Sequence, residues 1–176
     1  MYLKIVKSFD ISKNCAVCGA DNPFSMKTRF FALENGWAAG IANPKDFHQS
    51  YPGRVHGGLI AALIDEAVGR AVNVSEPDTY GVTGELEIKY KKPVPYGKPL
   101  YVVARPLSNN RRIFEGEGMV FSEDGVVYAV GYAKYMKLTP AEIHDGGDLG
   151  MLPPPPDAPK GMDVPDFPKT RRQKCL

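Results

Sequence analysis

Hydrophobic and polar residues alternate along much of the chain in the way that is typical of β-strands. In the segment "GELEIKY", Leu86, Ile88 and Tyr90 alternate with charged residues, which predicts a strand with one buried and one solvent-exposed face. The runs "SMKTRFFAL" and "WAAGIA" flank the turn "ENG" and predict a hairpin. Three more strand-like runs follow, "LYVVARPL", "IFEGEGMVF" and "VVYAVGYAKYMKL".

One segment has a helical pattern instead. Residues 58–74 are apolar nearly all round, which indicates a helix buried inside the protein. One long helix among about six antiparallel strands predicts an α+β fold in which a sheet curls around the helix.

Composition divides the chain into segments. Residues 1–24 form a lead-in with the turn-rich stretch "CAVCGADNP", and strand and helix patterns fill residues 26–138, so residues 1–138 are predicted to be one domain. Residues 139–176 form a tail that contains eight of the sixteen prolines. Because proline lacks a backbone donor and favours polyproline II, we expect the tail to lie extended along a surface, as a poor element of the core.

Charge and cysteine content exclude several classes of protein. A net charge of +2 gives no indication of nucleic-acid or membrane-surface binding. No apolar run approaches the roughly 20 residues that span a bilayer, and the N-terminal segment does not resemble a signal peptide. Three cysteines do not make a disulfide framework, so we expect a reduced, cytoplasmic protein.

Two adjacent acids, Asp65 and Glu66, stand in the apolar helix. Glu66 has Arg70 one turn later, in the favourable order for an ion pair, and it is expected to be paired or solvated. Asp65 has no partner on the helix, and a charged group on an apolar face that is shielded from water is energetically unfavourable without one. It is therefore either a functional acid or a residue that caps another segment or pairs with a distant cation. On a helical projection its face is shared with small or apolar residues, namely Ala61, Ala62, Val68, Gly69 and Val72.

The helix begins with "HGG", residues 56–58. Glycines allow a ligand to approach the backbone closely. The first N–H groups of a helix have no internal partner and lie at the positive end of its dipole. They are therefore candidate donors for a polarised carbonyl or a developing oxyanion.

Cys15 and Cys18 form one CxxC pair. A zinc site needs four ligands, and His48 would supply only one more, so no metal is expected. No βαβ pattern surrounds the pair, which disfavours redox chemistry. We expect a turn packed under the sheet.

The stretch "HGGLIAALIDEAVG" resembles the motif of hotdog-fold acyl-CoA thioesterases, in the branch that includes phenylacetate-pathway and mammalian thioesterase-superfamily proteins. "CAVCGADNPFSMKTRFF" is similar to the lead-in of many bacterial members, and "VTGELEIKYKKPVPYG" to the strand after the helix. Together these stretches cover roughly residues 15–138.

The resemblance implies a sheet wrapped around the helix and two such units paired into a continuous sheet, as a homodimer or a dimer of dimers. Active sites would lie at the interface. The family's acid falls on Asp65 and its oxyanion donor on the N–H of Gly58. His56 would position the thioester or the loop, and Thr83 would hold the attacking water. The family's amide residue before the motif has Gln49 or Ser50 as its nearest counterpart.

Hydrolysis of an acyl-CoA thioester is therefore the predicted activity, with Asp65 as general base or nucleophile. No cofactor is expected, because CoA is part of the substrate. The backbone at Gly57 would border the thioester. Arg111, Arg112 and Lys98 are candidates for the CoA phosphates, although charges in such turns are usually just solvated.

Two other functions compete with hydrolysis. The first is a hotdog dehydratase or hydratase, since "FHQSYPGRV" has a faint likeness to a stretch of such enzymes, with His48 as base and Asp65 or Glu66 as acid. The second is a non-catalytic acyl-CoA sensor. Regulators of that kind carry a DNA-binding module in front, and about 25 residues before the first strand are too few for a three-helix module.

Overall fold

The computed structural model describes residues 1–143 and 150–168 of the chain. The part of the expected tail that falls on residues 144–149 and 169–176 lies outside the described residues. The elements are β1 (Tyr2–Ser8), β2 (Ile11–Ser12), β3 (Arg29–Leu33), β4 (Ala38–Ala42), a 3₁₀ helix (Asp46–His48), β5 (Gln49–Tyr51), β6 (Arg54–Val55), α1 (Gly57–Val72), β7 (Tyr80–Tyr90), β8 (Leu100–Asn109), β9 (Ile113–Phe121), β10 (Val127–Leu138), α2 (Pro140–Ile143), β11 (Met151–Leu152) and β12 (Gly161–Asp163).

One antiparallel sheet and one long helix make up the architecture. Eight strands are ordered β12–β1–β3–β4–β8–β9–β10–β7, and α1 packs against this sheet. The predicted α+β class is confirmed, and the six predicted strands and the helix are found within a few residues of their expected positions. Among the described residues no helix is long and apolar enough to cross a membrane.

The expected strand number is too low by two, because both ends of the chain join the sheet. β1 belongs to the predicted lead-in and pairs with β3 on one side and with β12 of the tail on the other. A second tail strand, β11, pairs with β2. The tail therefore begins with the short helix α2, which was not expected, and its described residues 150–168 are extended, as expected, and lie along their own chain.

The helix buries one side and leaves the other partly open. Its buried residues follow the three- and four-residue spacing of a single helical face. They are Ile60, Leu63, Ile64, Ala67, Val68, Ala71 and Val72. Asp65 and Glu66 lie on the remaining side and are only half-buried. The prediction of a helix buried all round is therefore wrong for one chain, and the side that contains both acids is the accessible one.

Glycines in β9 and β10 let the sheet approach this buried face closely. A Cβ atom at Gly116 would lie 2.7 Å from Val68 Cγ1 and 2.9 Å from the Arg105 carbonyl oxygen. One at Gly131 would lie 2.8 Å from Ile64 Cγ2. Ordinary side chains at these positions would push the helix away, so the glycines fix its distance from the sheet.

A second core covers the opposite face of the sheet, and the tail contributes to it. Met162 and Val164 are buried there, and Phe167 packs edge-on against Trp37. The expectation that the tail is a poor core element is wrong for this segment, because its few apolar side chains point onto an apolar sheet face. Ten buried residues form the cluster: Leu3, Phe31, Leu33, Ala39, Val103, Met119, Phe121, Val130, Met162 and Val164.

Among the described residues, β7 is the last strand of the sheet and pairs with β10 only. The face of β7 predicted to be buried remains accessible in part, since Leu86 is 38% and Tyr90 54% exposed. Val82 and Met136 add further exposed apolar surface at this edge. A long apolar edge strand is a surface that usually pairs with another strand, which explains why the sequence pattern predicts burial that one chain does not provide.

The close approach between helix and sheet leads to a stability prediction. Gly116→Ala is expected to lower the free energy of unfolding by about 1–3 kcal/mol, because its Cβ meets a backbone oxygen that has little room to move. The control is Gly69→Ala on α1, whose Cβ would meet only Tyr135, at 3.7 Å or more. It should leave stability unchanged or raise it, because alanine favours the helix. Urea unfolding of both variants measures the difference, and equal stabilities would contradict this account of the packing.

Candidate active site

A cavity of about 640 Å³ opens beside the accessible side of α1. Its wall includes Asp65 and Glu66 from the helix, Thr83 from β7 and Tyr135 from β10. Cys15 of the lead-in also contributes to the wall. The two acids singled out in the sequence therefore border one space of the size that small-molecule sites occupy.

Asp65 is held by two hydroxyl groups. Thr83 Oγ1 donates to Asp65 Oδ1 over 2.9 Å, and the Tyr135 hydroxyl lies 2.8 Å from the same oxygen. The Tyr135 hydroxyl is also 2.5 Å from the backbone carbonyl oxygen of Asp65. Within residues 1–143 and 150–168, Asp65 forms no ion pair and its Oδ2 has no hydrogen-bond partner. The distant cation considered as a structural explanation of Asp65 is not found there.

A β-bulge brings the two hydroxyls together. Along the β7–β10 pair, Lys134 is opposite Glu85, but the next residue, Tyr135, is opposite Thr83. Gly84 is the extra residue, and it shifts the alternation of β7 so that Thr83 reaches the helix side of the sheet. The predicted pairing of Thr83 with Asp65 in one site thus has a local structural cause.

Tyr135 was not among the residues selected from the sequence. Its ring is buried and stacks on Phe114 with centroids 4.5 Å apart. Burial raises the pKa of its hydroxyl, and the nearby charge of Asp65 raises it further, so the group remains a donor. The sequence pattern does indicate that Tyr135 points inward, because it alternates with Ala133 and Gly131 on the inward face of its strand. However, its contact with Asp65 depends on the bulge.

Glu66 has more partners than the sequence indicated. The predicted ion pair with Arg70 is confirmed, with Nη2 3.0 Å from Oε1. The thiols of Cys15 and Cys18 lie 3.7 and 3.6 Å from its two carboxylate oxygens. The CxxC turn is therefore packed against the helix beside the cavity.

The start of α1 is capped by a side chain. Nδ1 of His56 accepts the Gly58 N–H over 2.9 Å, so His56 is the N-cap of the helix. The Tyr90 hydroxyl donates to the carbonyl oxygen of Gly57 over 2.7 Å. Gly58 precedes Asp65 by seven residues, which corresponds to about 10 Å along the helix axis. Within one chain, the predicted oxyanion donor and the predicted acid therefore lie far apart on the helix.

Gln49 and Ser50 lie on the exposed strand β5 and do not line the cavity. His48, just before them, is buried and engaged at both ring nitrogens. Its Nδ1 accepts from the Lys45 N–H over 2.8 Å, so Nε2 carries the proton and donates to the Phe24 carbonyl at 2.9 Å. Neither His48 nor His56 borders the cavity that contains the acids, so the arrangement expected of a dehydratase is not present in one chain.

The three basic candidates for CoA phosphates are not together. Arg111 borders a second cavity of about 630 Å³, which shares Asp78 and Thr79 with the first. Arg112 is exposed on the same turn. Lys98 lies beyond the other end of β8, which is ten residues or about 30 Å long. The three therefore do not form one phosphate site within a chain, because the β8 strand separates them.

The sequence matches a known protein family over its central part. The model of the thioesterase superfamily aligns with residues 52–129, which include α1 and the strands β7 to β9. No curated protein sequence matches the chain.

Solved structures share the architecture. A thioesterase superfamily protein is 27% identical with a TM-score of 0.63, over 69% of this chain and 59% of the other, so the match spans less than two thirds of that protein. The BH2602 protein from Bacillus halodurans, solved with CoA, is 32% identical with a TM-score of 0.52, over 56% of this chain and 70% of its own.

The PaaI protein of the E. coli phenylacetic acid degradation operon is 16% identical with a TM-score of 0.58, over 64% of this chain and 80% of its own, and at that identity it shows the fold alone. The predicted hotdog fold is confirmed by these matches. Given the family model and the Bacillus relative, the chain belongs to the thioesterase superfamily.

Proposed function

We propose that this protein hydrolyses acyl-CoA thioesters to a free acid and CoA. One observation carries the proposal. It is a half-buried carboxylate at a cavity, with one oxygen fixed by two hydroxyls and the other without a partner in the described chain. Membership of the thioesterase superfamily supports the reaction class, and a relative solved with CoA supports the kind of thioester.

Asp65 supplies the reactive oxygen. Oδ1 is oriented by Thr83 and Tyr135, which leaves Oδ2 to accept a proton from water or to attack the thioester carbonyl. Thr83 is exposed to the cavity, where its oxygen also accepts a hydrogen bond from the attacking water.

The helix start supplies the electrophilic part of the site. The Gly58 N–H lies at the positive end of the helix dipole, and Nδ1 of His56 holds it in place as an acceptor. In the proposed reaction the thioester oxygen replaces that nitrogen as acceptor. Stabilisation of the developing negative charge by such donors is a large contribution to acyl-transfer catalysis.

The acid and the oxyanion donor can act on the same thioester carbonyl only if two chains associate. A reacting carbonyl must lie about 3 Å from both the acid and the oxyanion donor, whereas one chain places them about 10 Å apart. The β7 edge offers the contact, because β7 is the last strand of the sheet among the described residues and Val82, Leu86 and Tyr90 are exposed along it. We therefore propose a homodimer with a continuous sheet.

Two contacts within the chain motivate a register for this pairing. Thr83 binds Asp65 on one chain, and Tyr90 binds Gly57 at the helix start. A two-fold axis near the middle of β7 that sets Thr83 opposite Tyr90 of the second chain keeps both side chains on the helix side of the sheet. That register carries the helix start of each chain toward the acid of the other.

The first test is the release of free thiol from a panel of short, long and aromatic acyl-CoAs by Asp65→Asn. We expect kcat to fall on the order of a hundredfold or more, because the amide neither accepts a proton nor attacks the carbonyl. Glu66→Gln is the matched control, one residue away on the same helix, and it should retain most activity. An unchanged kcat in folded Asp65→Asn would overturn the assignment.

A second prediction concerns the hydroxyls that orient Asp65. Thr83→Val and Tyr135→Phe remove one donor each and keep similar volumes. Each is expected to lower kcat about tenfold with little change in KM, because the lost interaction acts mainly in the transition state. Steady-state kinetics separate the two constants. A change confined to KM would show that these residues only contact the substrate.

A third prediction tests the shared site. Asp65→Asn and Gly58→Pro chains, each inactive alone, are refolded together in equal amounts. A mixed dimer has one intact site, formed by Gly58 of the first chain and Asp65 of the second, so about a quarter of wild-type activity should return. Sedimentation measures the assembly. An active monomer, or a mixture without activity, is incompatible with a site made by two chains.

A further inference from the structure

The CxxC turn is packed against α1 in a way that the proposed hydrolysis does not use. Cys15 and Cys18 lie on one turn, closed by a hydrogen bond from the Gly19 N–H to the Cys15 carbonyl at 2.8 Å. Both sulfur atoms and a Glu66 carboxylate oxygen lie within 4.8 Å of one another. The Arg70 guanidinium completes the group, with Nη2 3.6 Å from Cys18 Sγ.

We propose that Cys15 and Cys18 form a redox-active dithiol that exchanges with low-molecular-weight disulfides and closes reversibly to an intramolecular disulfide. This activity is separate from thioester hydrolysis. It departs from the expectation of a structural turn, which rests on the lack of a βαβ context and does not consider the surroundings of the two sulfurs.

Cys15 has the environment of an attacking thiol. It is only half-buried and borders the cavity, so a small disulfide has access to it. The backbone N–H groups of Val17 and Cys18 point at its sulfur, 3.2 and 3.4 Å away. The hydrogen bond from the Cys18 thiol, together with these backbone donors, lowers the pKa of Cys15 to about 7 despite its partial burial. A substantial fraction is therefore thiolate at neutral pH.

Cys18 has the environment of a resolving thiol. It is 2% exposed, so small molecules do not reach it directly. Its hydrogen bond to Cys15, burial and the charge of Glu66 all raise its pKa, so it needs a base to lose its proton. Glu66 Oε1 lies 3.6 Å from its sulfur and is the acceptor for that proton.

The exchange balances as follows. The Cys15 thiolate attacks one sulfur of a disulfide RSSR, whose S–S bond breaks and releases RS⁻, leaving a mixed disulfide on Cys15. The Cys18 thiol then gives its proton to Glu66, its sulfur attacks the Cys15 sulfur, and the second RS⁻ leaves. The protons lost by the two cysteines convert both RS⁻ ions to RSH. Two protein thiols are oxidised and one disulfide is reduced.

A metal ion is the other ligand that such a cluster suggests, and the geometry disfavours it. A structural zinc site has four protein ligands, whereas the described residues supply three here. The Arg70 guanidinium already occupies one side of the group, bound to Glu66 Oε1 at 3.0 Å and close to Cys18 Sγ. A divalent cation would place its charge beside this existing cation.

The test uses the full chain with Cys175, which lies outside the described residues, replaced by serine. The protein is equilibrated with glutathione and glutathione disulfide at increasing ratios, quenched with acid and analysed by intact mass. We expect a form lighter by two hydrogens that reverts on reduction. Asp65→Asn should behave identically, which separates this proposal from the proposed hydrolysis.

Variants identify the two roles. Cys18→Ser should accumulate a glutathione adduct on Cys15, whereas Cys15→Ser should accumulate none. Glu66→Gln should accumulate the same adduct before it closes, because the resolving step loses its base. Circular dichroism checks that each variant is folded. Failure of the unmodified pair to close in fully oxidised glutathione would overturn the proposal, as would stoichiometric bound metal in the purified protein.

Discussion

The close contact between α1 and the glycines of β9 and β10 determines where everything else lies. Because Gly116 and Gly131 have no side chains, the side chains of Val68 and Ile64 pack directly against the sheet backbone. This packing determines which side of the helix is buried. The opposite side then faces the cavity, and Asp65 forms part of its wall. The bulge at Gly84 adds the second constraint, since it turns Thr83 toward the same carboxylate. Packing, not a separate binding loop, therefore positions the acid.

A single chain leaves this arrangement incomplete. The helix start and the acid are on the same helix, and a rigid helix does not bring them to one carbonyl. The β7 edge, with Leu86 and Tyr90 exposed, is the surface through which we propose that a second chain completes the site. In this account the apolar edge has a catalytic consequence, because it decides which helix start faces Asp65. The described part of the tail contributes Met162 and Val164 to the core on the other face of the sheet.

The sequence predicted the local elements well and the long-range ones poorly. Alternation along residues 80–90 and the apolar run after His56 depend on neighbouring residues, so β7 and α1 were found at their expected places. The pairing of β1 with β12 joins segments that are about 160 residues apart in sequence, and no local pattern indicates it. Short tail strands among prolines carry little alternation, which explains why their part in the core was missed.

The same distinction holds for the candidate site. Asp65 was found because a charge on an apolar helix is costly, and Thr83 because the strand resembles that of a known family. Tyr135 was missed, since its contact requires a bulge whose position depends on strand register. The thiols near Glu66 were missed for a similar reason, because the lead-in and the helix are about fifty residues apart in sequence.

We propose that Asp65 of one chain and the helix start of another act on the same carbonyl. The most direct measurement is a crystal structure of Asp65→Asn with an acyl-CoA analogue in which a methylene group replaces the thioester sulfur. We expect the carbonyl oxygen to lie about 3 Å from the Gly58 nitrogen of one chain. The carbonyl carbon should then lie beside position 65 of the other chain. A carbonyl bound by a single chain, or distant from position 65, would contradict it.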